Sequence, residues 1–213
     1  MKNRDNIIRY YKGTDNGALA ARLIDLADST DKGRPYAVSE FVSPGAVQIG
    51  ETVSAHAATL VLRVNGGYEG AERVKLCFIR NDYEGPVDFG LTACRITWDA
   101  RYRLLGHRDV LGALMSLGID RGRFGDIIMH EDGAVILVDT KLLPYLQQNL
   151  EKIAMVSVTI SEVPVASIPP RREKIKEIKT TVASLRLDAV VSSGFGISRT
   201  KAAEAIKGER VQV

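Results

Sequence analysis

Residues 89–165 switch between two hydrophobic periods in a fixed order, and that order narrows the folds open to the chain. "FGLTACRITWD" is an apolar run of strand length. "HRDVLGALMSLGI" places Val110, Leu111, Leu114 and Leu117 on one face of a helix. "GDIIMHEDGAVILVDT" reads as two strands around a turn at Glu131, Asp132 and Gly133. "TKLLPYLQQNLEKI" is a second helix, with Pro144 tolerable only in its first turn, where a missing N–H breaks no helical hydrogen bond. "MVSVTISEVPV" closes the series as an alternating strand. The order β-α-β-β-α-β predicts a ferredoxin-like unit. Binding modules and enzymes both use it, so topology leaves function open.

The flanks complete an α+β chain. "NGALAARLIDLADST" carries Leu19, Leu23 and Leu26 at helical spacing after the capping candidates Asp15 and Asn16. "SPGAVQIGETVSAHA" predicts a short helix opened by Ser43 and Pro44. "ATLVLRVNGGYEGAERVKLCFIRND" predicts a hairpin around a Gly-rich turn. The expected division is a helical region over 1–56, a ferredoxin-like domain with a leading hairpin over 57–165, a basic linker over 166–183 and a small unit over 184–213. Pro169 and Pro170 break regular structure in the linker. In the last unit, Leu185, Leu187, Val190 and Val191 predict one helical face, and Ala202, Ala205 and Ile206 another. Gly208 then turns the chain into "VQV", which alternates like a strand.

Several function classes lose support. Among the 213 residues, no apolar run is long enough to span a bilayer, and the start lacks the apolar core of a signal peptide. Cys77 and Cys94 lack metal-site spacing and read as buried, reduced thiols, which fits a cytoplasmic protein. His107, Arg108 and Asp109 have the letters of a kinase catalytic loop, but neither the downstream metal-binding residues nor a nucleotide loop follows. His56, His107 and His130 are scattered, and the serines near Ser192 lack a nucleophile elbow. The expectation is a protein with no catalytic residue, cofactor, metal, membrane or small-molecule substrate.

Charge carries more information. From Val163 to Val213 there are ten Lys/Arg against five Asp/Glu, so that stretch holds +5 while the whole chain is only +3. Such a concentration points to a polyanionic partner or to a solvated basic face. Ser198 is placed to cap the second helix of this unit, which leaves backbone N–H groups facing outward. Arg199 and Lys201 then lie in the first turn, against the helix dipole. An anion bound at the helix start would remove that conflict.

"RLD…SRTKAAEAIKGERVQV" resembles the small RNA-binding module named after small-subunit ribosomal protein S-four, the alpha-L motif. The resemblance implies RNA contacts from Arg186, Ser198, Arg199, Thr200, Lys201, Lys207 and Arg210. Ala203 stands where that family often has a cation. The chain also stops at Val213, where the family continues, so the module is expected to be partial. "HRDVLGALMSLGIDRGRFGDIIMHEDGAVILV" followed by "SLRLDAVV" is similar to the YlmH family of RNA-binding proteins. That resemblance implies a helical N-terminal region, an RRM-like middle domain and the C-terminal module. It further implies no enzymatic activity, binding of rRNA and tRNA on the large ribosomal subunit, and a role in rescuing stalled nascent chains.

RRM domains stack bases on sheet aromatics. "DIIMH" and "AVILVDT" have none, so the middle domain is expected to use charge and shape. The candidates are Arg101, Arg103, His107, Arg108, Arg121 and Arg123, expected to cluster around one helix, with Arg171 and Arg172 in the linker. Two rival readings stay open. One is an RNA-modifying protein of the pseudouridine synthase kind, because Arg186, Leu187 and Asp188 spell its catalytic tripeptide. The other is an interaction protein of cell division.

Overall fold

The described residues of the computed structural model are 4–11, 16–99, 101, 103–170, 178–207 and 211. They divide into two units, Met1–Arg171 and Arg172–Val213.

The first unit contains two antiparallel sheets. In the first, β1 (Tyr36–Val42), β2 (Leu60–Asn65) and β3 (Val74–Arg80) lie in the order β1-β3-β2. Helices α1 (Arg4–Tyr11), α2 (Gly17–Asp31) and α3 (Gly45–Ala55) contribute Ile7, Leu23, Ile24, Ile49 and Val53 to a core with Leu76 and Phe78 of β3. Leu19 and Leu26 flank that core only partly buried. Gly50 lets α3 lie close on the sheet, since a Cβ there would stand 2.8 Å from the Leu76 side chain.

This arrangement corrects the expected division in one respect. The β2–β3 hairpin pairs with β1, not with the strands that follow it. The sequence reading placed β1 within a helical region. A register shift between Val38 and Phe41 breaks its alternation, and the Ser39 hydroxyl accepts the Leu76 N–H at 2.9 Å there.

The second sheet is five-stranded. It comprises β4 (Leu91–Trp98), α4 (His107–Ser116), β5 (Phe124–His130), β6 (Gly133–Asp139), α5 (Leu143–Asn149), β7 (Lys152–Ile153) and β8 (Val156–Val163). The sheet order is β5-β6-β4-β8-β7, with every pair antiparallel. Cys94, Ile96, Phe124, Ile136 and Val138 pack on one face against Val110 and Leu114 of α4 and Leu143 and Leu146 of α5. Pro144 sits in the first turn of α5, as its ring demands. The helix was expected to reach Ile153 but stops at Asn149, and Lys152–Ile153 pairs with β8 instead, with Ile153 fully buried.

The other face of this sheet is also covered. Phe41 of β1 and Tyr68 from the β2–β3 loop pack with Ala93, Val135, Leu137 and Ile168. Gly67, at φ +95°, makes the close approach possible, because a Cβ would fall 2.6 Å from Leu137.

In the second unit, α6 (Leu187–Phe195) and α7 (Arg199–Lys207) form a helical hairpin. Gly196 turns the chain in the left-handed conformation at φ +63°, and the Ile197 N–H returns to the Ser192 carbonyl at 3.1 Å. Only Val191 and Ala202 of the predicted faces are buried, while Leu185, Leu187 and Val190 are exposed. The predicted turn at Gly208 and Arg210 and most of "VQV" lie outside the described residues.

Candidate nucleic-acid interface

The cations of the C-terminal unit converge on a carboxylate. Asp188, in the first turn of α6, accepts from Arg186 Nε at 3.0 Å and from an Arg199 terminal nitrogen at 2.9 Å. These donors, Arg186 first, hold the Asp188 carboxyl below the usual carboxylate range. Both guanidiniums keep most of their surface in solvent, with side chains 73% and 58% exposed. The pairing therefore sets their direction without neutralising the patch.

Ser198 caps α7 as expected: the Lys201 N–H reaches its hydroxyl at 3.3 Å. Thr200 and Lys201 are exposed in that first turn, and Lys207 lines a shallow cleft with Arg186 and Asp188. Lys201 and Lys207 make no ion pair with any described residue. Two steered guanidiniums and two ammonium groups without an ion-pair partner among the described residues thus share one helical hairpin. Arg210, Arg171 and Arg172 lie outside the described residues.

In the first unit the expected cluster divides. Arg101 pairs with Asp99 at 2.7 Å. Arg103 reaches Asp109 at 3.5 Å and the Ala154 carbonyl at 3.4 Å. His107 and Arg108 are exposed at the start of α4, where Asp109 accepts the Gly106 N–H at 2.8 Å. These four remain an accessible basic edge.

Arg121 and Arg123 do not belong to it. They sit in a 3-10 turn at Arg121–Arg123, at the joint between the two sheets. Arg121 donates to the carbonyls of Phe124 (2.7 Å) and Gly125 (3.1 Å) and lies 4.3 Å over the Phe124 ring. Burial, together with the nearby Arg73 charge, lowers its pKa to about 10. Arg123 pairs with Asp139 at 3.0 Å. Both guanidiniums are thus engaged within the fold.

The rest of the joint was invisible in the sequence. Lys75 of β3 is buried, bonded to Asp139 of β6 and to the carbonyls of Phe89 and Gly90, each at 3.1 Å. Asp126 accepts from the Tyr68 hydroxyl (2.8 Å) and from the N–H groups of Glu72 (2.8 Å) and Arg73 (2.9 Å). Asp139 lies sixty-four positions from Lys75 and Asp126 more than fifty from each of its partners, so no local spacing could announce them.

The sheet face that stacks bases in an RRM is closed here by Phe41, Tyr68 and Ile168. What it leaves accessible includes Arg95, paired with Asp132 at 2.8 Å. Cys77 and Cys94 are buried, with thiols pushed up to about 11 and about 12 by desolvation. Among the described residues no group of three metal-ligating side chains forms, and no helix is long and apolar enough to cross a membrane.

Residues 85–167 match the family described as "Putative RNA-binding domain in YlmH". That span contains the whole second sheet with its two helices. The chain is therefore an RNA-binding protein of mixed α+β fold. A curated relative from Bacillus subtilis (strain 168), named "Ribosome-associated protein quality control protein P2", is 29% identical over 178 residues, 83% of this chain and 68% of the relative. A solved structure, "Cell division protein ylmH from Streptococcus pneumoniae", shares the fold with a TM-score of 0.63 at 22% identity, over 74% of this chain and 96% of that one. The matches make the chain similar to YlmH-family proteins.

Proposed function

We propose that this protein is a non-catalytic binder of structured RNA, rRNA and tRNA, that acts in the cytoplasm on the large ribosomal subunit when a nascent chain stalls. The observation that carries the reading is the arrangement of the C-terminal helical hairpin. Asp188 steers Arg186 and Arg199, while Lys201 and Lys207 have no ion-pair partner among the described residues. That geometry offers charge-assisted bonds to phosphates beside a capped helix start. The hairpin acts as the alpha-L, ribosomal-protein-S-four-type element. The second sheet acts as a ferredoxin-like, RRM-like platform whose accessible edge is Arg101, Arg103, His107 and Arg108. Residues 166–183 serve as the linker between the two.

The rival RNA-modifying reading needs Asp188 as a nucleophile. A surface carboxylate already shared by two guanidiniums is poorly suited to attack a base. The relative named for ribosome-associated quality control supports the ribosomal setting. Co-sedimentation of the full chain with separated ribosomal subunits tests the reading. Pelleting with the large subunit, reversed by salt, is expected. Equal pelleting with both subunits, or none, would contradict it.

A further inference from the structure

The N-terminal helices hold a pocket that the C-terminal RNA site does not use. It lies between α1 and α3 and has a volume of about 430 Å³. Its floor is Ile7, which is buried. One wall is Tyr10, 78% exposed, set edge-to-face on Tyr11 with ring centroids 4.9 Å apart. Among the described residues, the lining beyond Ile7 and the two tyrosines is hydrogen-bonding: Asn6 on α1, and Gln48, Thr52 and His56 on or beside α3. The His56 Nδ1–H donates to the Thr52 carbonyl at 2.8 Å, so the neutral ring keeps Nε2 as an acceptor.

A solvent-exposed tyrosine is hard to explain as packing, and two carboxamides beside it are hard to explain as an apolar groove. An aromatic wall with amide donors and acceptors around it is the chemistry that reads an unpaired base: the π-face stacks, and the amides meet the base edge. The charge agrees. The first twelve residues carry Lys2, Arg4, Arg9 and Lys12 against one acid, Asp5, and Arg9 lies exposed in the last turn of α1. The single carboxylate of α3, Glu51, contributes nothing to the lining.

We infer that the pocket between α1 and α3 receives one unpaired nucleobase of RNA, stacked on Tyr10 and read at its edge by Asn6 and Gln48. The inference rests on the RNA-binding reading but names a second, independent contact. The two halves divide the recognition: the C-terminal hairpin holds phosphates of folded RNA, and this pocket takes a base from a single-stranded stretch.

The test uses the full chain and two fluorescein-labelled RNAs, a ten-nucleotide unstructured strand and a closed hairpin without unpaired overhang. Tyr10→Ala is expected to weaken binding of the unstructured strand about ten-fold or more, the scale of one lost base–aromatic stack, and to leave the hairpin unaffected. Tyr10→Phe, which keeps the stacking face, is expected to bind both as the unaltered chain does. Arg199→Ala with Lys201→Ala should do the reverse of Tyr10→Ala, chiefly weakening the hairpin, so failure of either site shows separately. Photo-crosslinking with 4-thiouridine in the unstructured strand is expected to label the peptide containing Tyr10. The inference is overturned if the unaltered chain does not bind the unstructured strand, if Tyr10→Ala leaves that binding unchanged, or if both RNAs weaken equally.

Discussion

Replacing Arg121 by Ala should destabilise the first unit and leave RNA affinity unchanged. The guanidinium donates to two main-chain carbonyls, Phe124 at 2.7 Å and Gly125 at 3.1 Å, and covers the Phe124 ring at 4.3 Å. Hydrogen bonds from a charged donor contribute about 1.5–3 kcal/mol each, and a cation–π contact about 0.5–1 kcal/mol. The gross loss is offset by relief of desolvation and of repulsion from Arg73, the same two effects that lower the Arg121 pKa. The Phe124 carbonyl also keeps a weaker donor in Arg73 Nε at 3.4 Å. A net cost of about 2 kcal/mol follows. With a urea slope of about 2 kcal/mol/M, the unfolding midpoint should fall by about 1 M. Arg121→Lys should recover only part of this, because a compact ammonium lacks the planar guanidinium face that lies over the Phe124 ring. The assay is urea denaturation of the full chain beside RNA affinity for the same variants. An unmoved midpoint with a ten-fold loss of RNA affinity would refute the structural role and restore Arg121 as an RNA contact.

Further outcomes follow from the same structure. Asp139→Ala should cost about 3 kcal/mol by denaturation, because it strands the buried Lys75 ammonium. The Asp188 carboxyl, held low by Arg186 and Arg199, contributes to the folded hairpin above its unfolded pKa, about 3.9; that contribution is lost as pH falls through the lower folded value. A carboxyl ¹³C titration should therefore place Asp188 below an unpaired aspartate, and a midpoint no lower than that reference would sink the pairing. Cys77 and Cys94 should resist a thiol reagent at pH 8 in the native chain and react fully in denaturant, because burial holds both thiols protonated. Rapid labelling of the folded protein would show that one of them is exposed.

The middle sheet was legible because its elements are local and strongly periodic. "AVILVDT" could only be a buried strand, and Pro144 marked the start of α5. The Ser198 cap was legible for the same reason, since cap and N–H lie three residues apart. β1 was not, because its bulge at Ser39 and Glu40 places polar residues where alternation requires apolar ones. The joint was not legible either. Arg123 looks like any surface cation until folding brings Asp139 beside it, and Arg121 looks like one until its side chain turns back over the Phe124 ring. Asp188 drew attention for its tripeptide, but its role depends on Arg199, eleven positions away across the Gly196 turn.

The most direct test of the account is the salt dependence of RNA affinity in the full chain, measured on a closed ribosomal RNA hairpin with and without Arg199→Ala and Lys201→Ala. If Arg186, Arg199, Lys201 and Lys207 each meet a phosphate, the log–log slope against salt should be about −3.6, and the double variant should roughly halve it. The variant's unfolding free energy should stay within about a few tenths of a kcal/mol of the parent, since the Arg199–Asp188 pair lies at the surface. A flat salt dependence, or an unchanged slope with a large fall in stability, would contradict the assignment of this hairpin as the RNA-binding surface.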